Sequence, residues 1–290
     1  MIRPAGVRPV HYLSGNRDRS PAGHNVVRVT TASIHHRPIG ELLRTWREHR
    51  RLSQLDLSIQ AEISTRHVSF METGRSTPSR EMVLHLSEHL DVPLRERNHL
   101  LLAAGYAPVY TESTLNSPQM AAVRDAIGKL LAGHEPYPAV VVDRGWNLVD
   151  ANTGLRMLVA GIAPDLLSNV LRASLHPDGL APRIANLGEW RAHLLGRLKR
   201  QIALTGDAEL AELYAELRDY PCDQPEPEVE LPGPGDIFVP LRLRHRDQEL
   251  SFFSVVATFG TPLDVTIAEM MIESFFPADE ETTRFLRDVG

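Results

Sequence analysis

Residues 52–79, which read LSQLDLSIQAEISTRHVSFMETGRSTPS, constrain the fold more than any other part of the chain. Ser53 is a good N-cap for a first short helix, and Asp56 stands at the third helical position, close to a capping box. Ser64 is placed to cap a second helix, and Gly74 to end it in the left-handed conformation that glycine adopts easily. Two short helices joined by a tight turn are typical of a helix-turn-helix.

Apolar residues at helical spacing extend this motif on both sides. Pro38 stands where a preceding helix would start, Ser79 is placed to cap a fourth helix, and a fifth is predicted over Leu94–Ala104. The apolar stripe of the preceding helix consists of Ile39, Leu42, Leu43 and Trp46. The inward-facing residues of the motif itself are Leu57, Ala61, Ile63, Val68 and Met71. Residues 37–108 are therefore predicted to form a compact five-helix domain.

The charge distribution separates a basic first part from an acidic remainder. The net charge of the chain is −6. Residues 1–110 have 15 arginines against 10 acidic residues, which leaves +5, whereas residues 111–290 have 16 basic against 27 acidic residues, which leaves −11. This asymmetry favours a DNA-binding head followed by a body with another task.

Length and composition exclude several classes of protein. A chain of 290 residues is long enough for two domains. The single cysteine, Cys222, rules out an intrachain disulfide framework and a cysteine-based zinc site. The sequence contains neither an apolar run of membrane-spanning length nor a secretory signal, so we expect a cytoplasmic protein with no membrane partner. Residues 1–36 are interpreted as a disordered basic arm or as translated leader.

Residues 38–106 resemble the lambda-repressor/Cro-type (XRE) helix-turn-helix family. The resemblance rests on Leu52–Gln54, Ile63–Ser64, Val68, Glu72–Arg75 and Pro78–Ser79. One position departs from the family pattern, because the turn between the two helices usually contains glycine and this chain has Glu62. A non-glycine residue with positive φ costs about 1 kcal/mol of strain at such a position.

A further resemblance, to the MmyB-like regulators, covers nearly the whole chain after residue 37. It is carried by Arg66–Phe70, Arg95–Asn98, Ala103–Tyr106 and residues 138–152 and 263–277. This resemblance implies an appended ligand-binding domain with an apolar pocket, for which fatty-acid-like ligands are candidates. The XRE resemblance also implies that Glu72 pairs with an arginine of the first helix, here Arg47.

The pattern after a polar linker at 109–117 predicts an α+β body over 118–290. Residues 139–142 indicate a buried strand with a hairpin partner at 146–149, followed by a helix that Asn152 caps. Long helices are predicted around Trp190–Ile202 and Leu210–Leu217, and a surface loop over Pro221–Gly235. Three further strands are predicted over Ile237–Arg244, Leu250–Phe259 and Asp264–Phe276. This order is typical of a PAS-like antiparallel sheet with covering helices, a fold class that keeps a cavity between sheet and helices.

The second helix of the motif is expected in the DNA major groove, with its N-terminal residues towards the base edges. The predicted base-facing residues are Ser64, Thr65, Arg66, Ser69 and Phe70. Arg66 suits bidentate contact with guanine, while Phe70 either touches a thymine methyl group or packs beside the first helix of the motif. His67 is expected to face phosphate or solvent. Gln54, Thr73 and Arg75 are at backbone-contacting positions of the family, which position the domain without reading sequence.

Leu55 and Ile59 form an apolar pair on the outer side of the first motif helix. The inward side of this helix already contains Leu57 and Ala61, so the outer pair is predicted to be exposed. It either docks the second domain, docks a second protomer, or is partly buried against a neighbouring helix.

The body offers apolar pocket candidates and no recognisable catalytic motif. Trp146, Met157, Phe253, Val255 and Met271 are candidates for lining a pocket, although such residues at strand and helix spacing are also ordinary core. His85 and His89 have helical i, i+4 spacing but no third ligand, so no metal site is predicted. We also expect no enzymatic activity and no cofactor, because nucleophile–base pairs and nucleotide-binding motifs are not recognisable.

These observations favour a bacterial transcriptional regulator whose body senses a small apolar molecule. A homodimer on a pseudo-palindromic operator is expected, because one helix reads only a few base pairs. One alternative is a constitutive repressor or antitoxin-like protein whose second domain serves only dimerisation or partner binding. The other is an enzyme with an XRE head. The operator, the sign of regulation and the effector stay open.

Overall fold

A computed structural model describes residues 37–225 and 238–289 and begins with a bundle of five helices. The predicted arm at 1–36 and most of the predicted 221–235 loop lie outside these residues. The bundle consists of α1 (Ile39–His49), α2 (Gln54–Gln60), α3 (Thr65–Glu72), α4 (Arg80–His89) and α5 (Leu94–Ala103). The five-helix prediction is confirmed.

Serine caps define where these helices begin. The Ser53 hydroxyl accepts from the amide of Asp56, whose carboxylate accepts from the Ser53 amide, so the capping box is complete. The hydroxyls of Ser64 and Ser79 cap α3 and α4 in the same way. In the turn between α2 and α3, Glu62 adopts a φ of 52°, as expected from its place in the motif. The local chemistry of the sequence thus fixes the helix-turn-helix.

One apolar core holds the five helices together. The predicted inward residues Leu57, Ala61, Val68 and Met71 are each 1% exposed, and Ile63 is half-buried. The backbones of α1 and α3 approach each other closely at Gly40. A Cβ atom at Gly40 would lie 2.3 Å from the carbonyl oxygen of Met71. Glycine at this position therefore allows the two helices to touch.

The body contains a five-stranded antiparallel sheet of order β2-β1-β5-β4-β3. The strands are β1 (Ala139–Val142), β2 (Leu148–Ala151), β3 (Leu241–His245), β4 (Gln248–Thr258) and β5 (Met271–Pro277). The α-helices are α6 (Ala121–Gly133), α7 (Thr153–Leu158), α8 (Pro164–Leu167), α9 (Val170–Leu175), α10 (Leu187–Thr205), α11 (Ala208–Arg218), α12 (Val265–Ala268) and α13 (Glu280–Val289). The predicted α+β class and the antiparallel meander are confirmed.

Both faces of strand β1, which lies between β2 and β5, are covered. Ala139 and Val141 pack in a cluster with Ile127 and Leu131 of α6. Val140 and Val142 belong to a cluster on the opposite face, next to the larger core that α10 and α11 form with β3 and β4. All four residues of β1 are buried for this reason, and the strand reads as a continuous apolar run.

Three predicted strands begin later than expected, and the first is the hairpin partner predicted at 146–149, which is β2 at Leu148–Ala151. Asp264 does not begin a strand, because its side chain accepts from the amide of Thr266 and caps α12, which delays β5 to Met271. Strand β3 begins at Leu241, directly after Pro240, which has no amide hydrogen for a sheet ladder. Ile237, where that strand was predicted to begin, lies outside the described residues.

Candidate DNA-binding surface and ligand cavity

Helix α3 presents its predicted base-facing residues on one side. Val68 and Met71 are buried in the core. The side of the helix that contains Arg66 is opposite to them and therefore faces outwards. Ser64, Arg66, Thr73 and Arg75 are exposed, while Thr65, His67, Ser69 and Phe70 are half-buried. The structure therefore brings the sequence-predicted readers together on one accessible surface.

Phe70 is placed between two arginines of this surface. The guanidinium carbon of Arg66 lies 5.0 Å from the centroid of the Phe70 ring, and that of Arg75 lies 5.8 Å from it. Guanidinium groups are attracted to the face of an aromatic ring at such distances. Phe70 therefore contacts both cations, a role that neither sequence alternative for this residue included.

The Thr65 hydroxyl is already engaged inside the motif. Its oxygen lies 2.8 Å from the Ser58 hydroxyl, which also lies 2.8 Å from the carbonyl oxygen of Leu55. Since a carbonyl only accepts, Ser58 donates to Leu55 and Thr65 donates to Ser58. Thr65 thereby uses its only donor and keeps two acceptor lone pairs, which suit an amino group better than a phosphate.

Gln54 is linked to the buried brace beneath α3. Arg47 donates to both carboxylate oxygens of Glu72, with Nε–Oε1 at 2.6 Å and the second pair at 2.9 Å. The Gln54 amide donates to the same carboxylate at 2.8 Å. Hydrogen bonding to Glu72 is also the main cause that raises the pKa of Arg47. An amide group has two N–H donors, so Gln54 retains a second donor beyond its bond to Glu72.

The histidine pair on α4 has a structural contact. The rings of His85 and His89 meet edge-on at 4.6 Å, and Nε2 of His85 lies 2.8 Å from the carbonyl oxygen of Ala61. That contact ties α4 to the turn of the motif. Over residues 37–225 and 238–289, no group of three or more His, Cys, Asp or Glu residues is placed to hold a metal ion.

A partly enclosed, mainly apolar cavity of about 340 Å³ lies between the sheet and the helices α7–α10. Its volume is within the usual range for small-molecule sites. Its lining includes Val140, Trp146, Leu148, Leu155, Val159, Leu167, Val170, Leu171, Ala173, Leu180, Trp190, Leu194, Leu241 and Phe275. A more open depression of about 460 Å³ lies on the other face of the sheet, beside Leu130 and His134. Enclosure and the apolar lining favour the first as a ligand site.

The pocket candidates from the sequence divide between the two faces of the sheet. Trp146 lines the enclosed cavity. Met157 and Met271 pack against the core around it without lining it. Phe253 stacks on Phe276 with ring centroids 5.4 Å apart. Val255, two residues further along the same strand, is 49% exposed.

A charged pair closes one part of the cavity wall. The buried carboxylate of Glu273, which lines the cavity, accepts two hydrogen bonds from Arg197 at 2.9 and 3.1 Å. The Arg197 guanidinium also lies over the Trp146 ring, 4.7 Å from its centroid. Nearby, His193 stacks on Trp190 at 5.4 Å, and burial lowers the pKa of its imidazole. Of these titratable side chains, only Glu273 lines the cavity itself, and its carboxylate is held by Arg197.

Trp146 has a strained backbone. Its φ is 63°, a region that bulky residues rarely adopt. The Trp146 indole donates to the Gln201 side chain at 2.9 Å, and its carbonyl accepts from the amide of Val170 at 2.9 Å. Such strain costs about 1–3 kcal/mol and persists where the surroundings hold it.

The fold and these two sites define the class: a DNA-binding transcription regulator with a ligand-binding domain. Residues 123–289 match the family profile described as the MmyB-like transcription regulator ligand binding domain, and residues 38–100 match that of a helix-turn-helix domain. The chain belongs to the MmyB-like transcription regulators. A search of curated proteins gives no match. Among the described residues, no helix is both long and apolar enough to cross a membrane.

Proposed function

We propose that this chain binds operator DNA through α3 and that a small apolar molecule in the enclosed cavity changes its affinity for that DNA. The observation that carries the proposal is the pairing of two sites in one chain. An outward surface around Arg66 suits the major groove, and a cavity of about 340 Å³ around Trp146 suits a ligand. Fatty-acid-like molecules are the ligand class that we favour, because the cavity lining is mainly apolar.

Within this proposal, Arg66 reads a guanine and Thr65, Ser64, Ser69 and Phe70 complete the base-facing surface. The residues around this surface position the domain on the phosphates. They are Gln54, His67, Thr73 and Arg75. The role of Arg66 as a reader is supported by the strength of direct readout, since a bidentate arginine–guanine pair contributes about 1–3 kcal/mol of discrimination. We also propose a head at 37–108, a linker at 109–117 and a body at 118–290.

The active species is proposed to be a homodimer on two half-sites. A single recognition helix reads too few base pairs to select an operator, and dimers solve this by binding half-sites one helical turn apart. Leu55 and Ile59 are 56% and 67% exposed, so the body of the same chain does not cover them. Docking of a second protomer on this pair stays a prediction.

Native mass spectrometry and DNA selection test the two halves of the proposal together. The full chain is purified, freed of bound lipid, and offered dodecanoic acid as a probe and random duplex DNA as a library. We expect enrichment of a two-fold symmetric sequence, uptake of one probe molecule, and a change of DNA affinity of at least about 5-fold on uptake. A chain that enriches no sequence, or whose DNA affinity ignores a bound probe, would contradict the proposal.

Two matched tryptophan variants locate the ligand. Val159 is half-buried in the wall of the enclosed cavity, and Leu130 lies beside the open depression on the other face. Val159→Trp should block uptake of dodecanoic acid, because the indole occupies the cavity, and Leu130→Trp should leave uptake unchanged. The reverse pattern would move the site to the open depression.

A further inference from the structure

Arg95 joins the DNA-binding head to the sheet body. From α5, its guanidinium donates two hydrogen bonds to Glu269, at 2.8 and 2.9 Å, and two to Glu112, at 2.5 and 2.9 Å. Glu269 lies between α12 and β5, and Glu112 lies in the segment between head and body. The side chains of Arg95 and Glu269 are only 22% and 19% exposed. One arginine thus holds three parts of the chain in a single arrangement.

The connecting segment is fixed from both ends as well. On the head side, the Asn98 amide oxygen accepts from the amides of Val109 and Tyr110, at 3.0 and 3.1 Å. On the body side, the Asp264 carboxylate accepts from the Thr111 hydroxyl and the Ser113 amide, at 3.0 and 3.1 Å. The polar linker predicted from sequence is therefore a strap bonded to both the head and the body. A strap of this kind transmits displacement, whereas a flexible linker would not.

Glu269 also connects to the wall of the cavity by two routes. It is two residues before β5, which places Glu273 and Phe275 in the lining. In space, it lies 3.9 Å from the Arg144 guanidinium. Arg144 precedes the strained Trp146 by two residues, and Gln201 bonds to both, through the Arg144 carbonyl at 2.7 Å and the Trp146 indole at 2.9 Å.

We propose that Arg95 and Glu269 form the coupling element through which the cavity and the DNA-binding head affect each other. This inference rests on the proposed function, because it assumes that the head binds DNA and that the cavity binds a ligand. Movement of Trp146 or β5 shifts Arg144 and Glu269, and the bidentate pair transmits that shift to α5. Bidentate geometry tolerates little displacement, so the pair either follows the movement or breaks.

Reciprocity permits a test that needs no ligand. If cavity occupancy alters DNA affinity, DNA binding must alter the ligand affinity of the cavity by the same factor, and the proposed coupling element carries that change to the cavity wall before a ligand is present. Hydrogen exchange is measured in the full chain, with and without DNA selected from a random duplex library, at the amides of 143–149 and 269–276. We expect DNA to change exchange in these segments by about 5-fold or more in the wild-type chain. Arg95→Gln and Glu269→Gln should each abolish the change while DNA binding persists.

Arg44→Gln is the matched control. Arg44 also forms an ion pair in the head, with Glu48 at 2.8 Å, but it is exposed and does not contact the body. This variant should keep the wild-type response. The proposal is overturned if DNA leaves both segments unchanged in the wild-type chain, or if Arg95→Gln and Glu269→Gln respond like the wild type. In either case DNA selection and probe uptake would still support the proposed function. A chain that binds no selected DNA would contradict both the proposed function and the coupling proposal.

Discussion

Arg47 of α1 donates two hydrogen bonds to Glu72, the last residue of α3, and both side chains are nearly excluded from solvent. The pair connects the end of α3 to α1. The side-chain amide of Gln54 donates a further hydrogen bond to Glu72. Removal of one partner leaves the other charge buried and unpaired.

Glu72→Ala should therefore destabilise the head by about 3 kcal/mol, at the low end of the range for breaking a buried ion pair. Urea unfolding followed by far-ultraviolet circular dichroism measures this change. Arg44→Gln removes the exposed basic partner of Glu48 and serves as the control, with little expected effect. If the two substitutions have equal effects, Glu72 is not a structural brace.

Gly40→Ala and Gly128→Ala should change stability in opposite directions. A methyl group at Gly40 would meet the Met71 carbonyl at 2.3 Å, so α1 and α3 must separate, at a cost of about 1–3 kcal/mol. Gly128 lies within α6 with no atom within 4 Å of the added methyl group, and alanine there should stabilise by about 0.5–1 kcal/mol. Thermal unfolding of both variants decides the point. A harmless Gly40→Ala would show that the two helices need not touch.

Glu62→Gly should stabilise the head by about 1 kcal/mol, because glycine adopts the φ of 52° without strain. Gln60→Gly, two residues earlier at the end of α2, should instead destabilise it by about 1 kcal/mol. Equilibrium unfolding in urea compares the two. A loss of stability in Glu62→Gly would mean that the Glu62 side chain makes a compensating contribution.

Stability below pH 4.5 should depend on Glu216 of α11. Hydrogen bonds from Arg172 are the main cause that lowers the pKa of this carboxyl from 4.5 to about 2. Burial and the bond to Glu216 raise the pKa of Tyr220 to about 12. A lowered carboxyl pKa contributes stability above pH 4.5, which is lost as the pH falls towards 2.

Glu216→Gln should accordingly flatten the dependence of the melting temperature on pH between about 4.5 and 2. Glu212→Gln, at an exposed position of the same helix, should leave the wild-type slope intact. An unchanged slope in Glu216→Gln would show that the Arg172 pair does not control acid stability.

The head could be predicted from sequence almost completely, because its determinants are local. Ser53, Ser64 and Ser79 stand directly at the helix starts that they cap, and Gly74 ends α3 with a φ of 72°. The Arg47–Glu72 pair, which connects distant positions, was inferred only through the family resemblance. Gly40 was overlooked, since nothing in the sequence shows that another backbone approaches it.

The body was less predictable, because its cavity depends on contacts between distant segments. Phe253 and Phe252 are neighbours in β4, yet one stacks on the outer face and the other is buried in the core. Alternation alone does not tell which face encloses the cavity. Helix α9 was missed, although Asn169 is a cap signal that accepts from two of its amides. The strap formed by Asn98 and Asp264 had no local signal.

Sequence-specific reading by Arg66 is the central claim, and affinity for a set of single-base variants of the selected operator tests it most directly. Arg66→Ala should lose about 1–3 kcal/mol of discrimination at one base step and leave the others unchanged. Gln54→Ala, with its fold checked by circular dichroism, should weaken binding to every sequence by a similar factor. Equal losses across all sequences in both variants would contradict the assignment of Arg66 as a reader and Gln54 as a clamp.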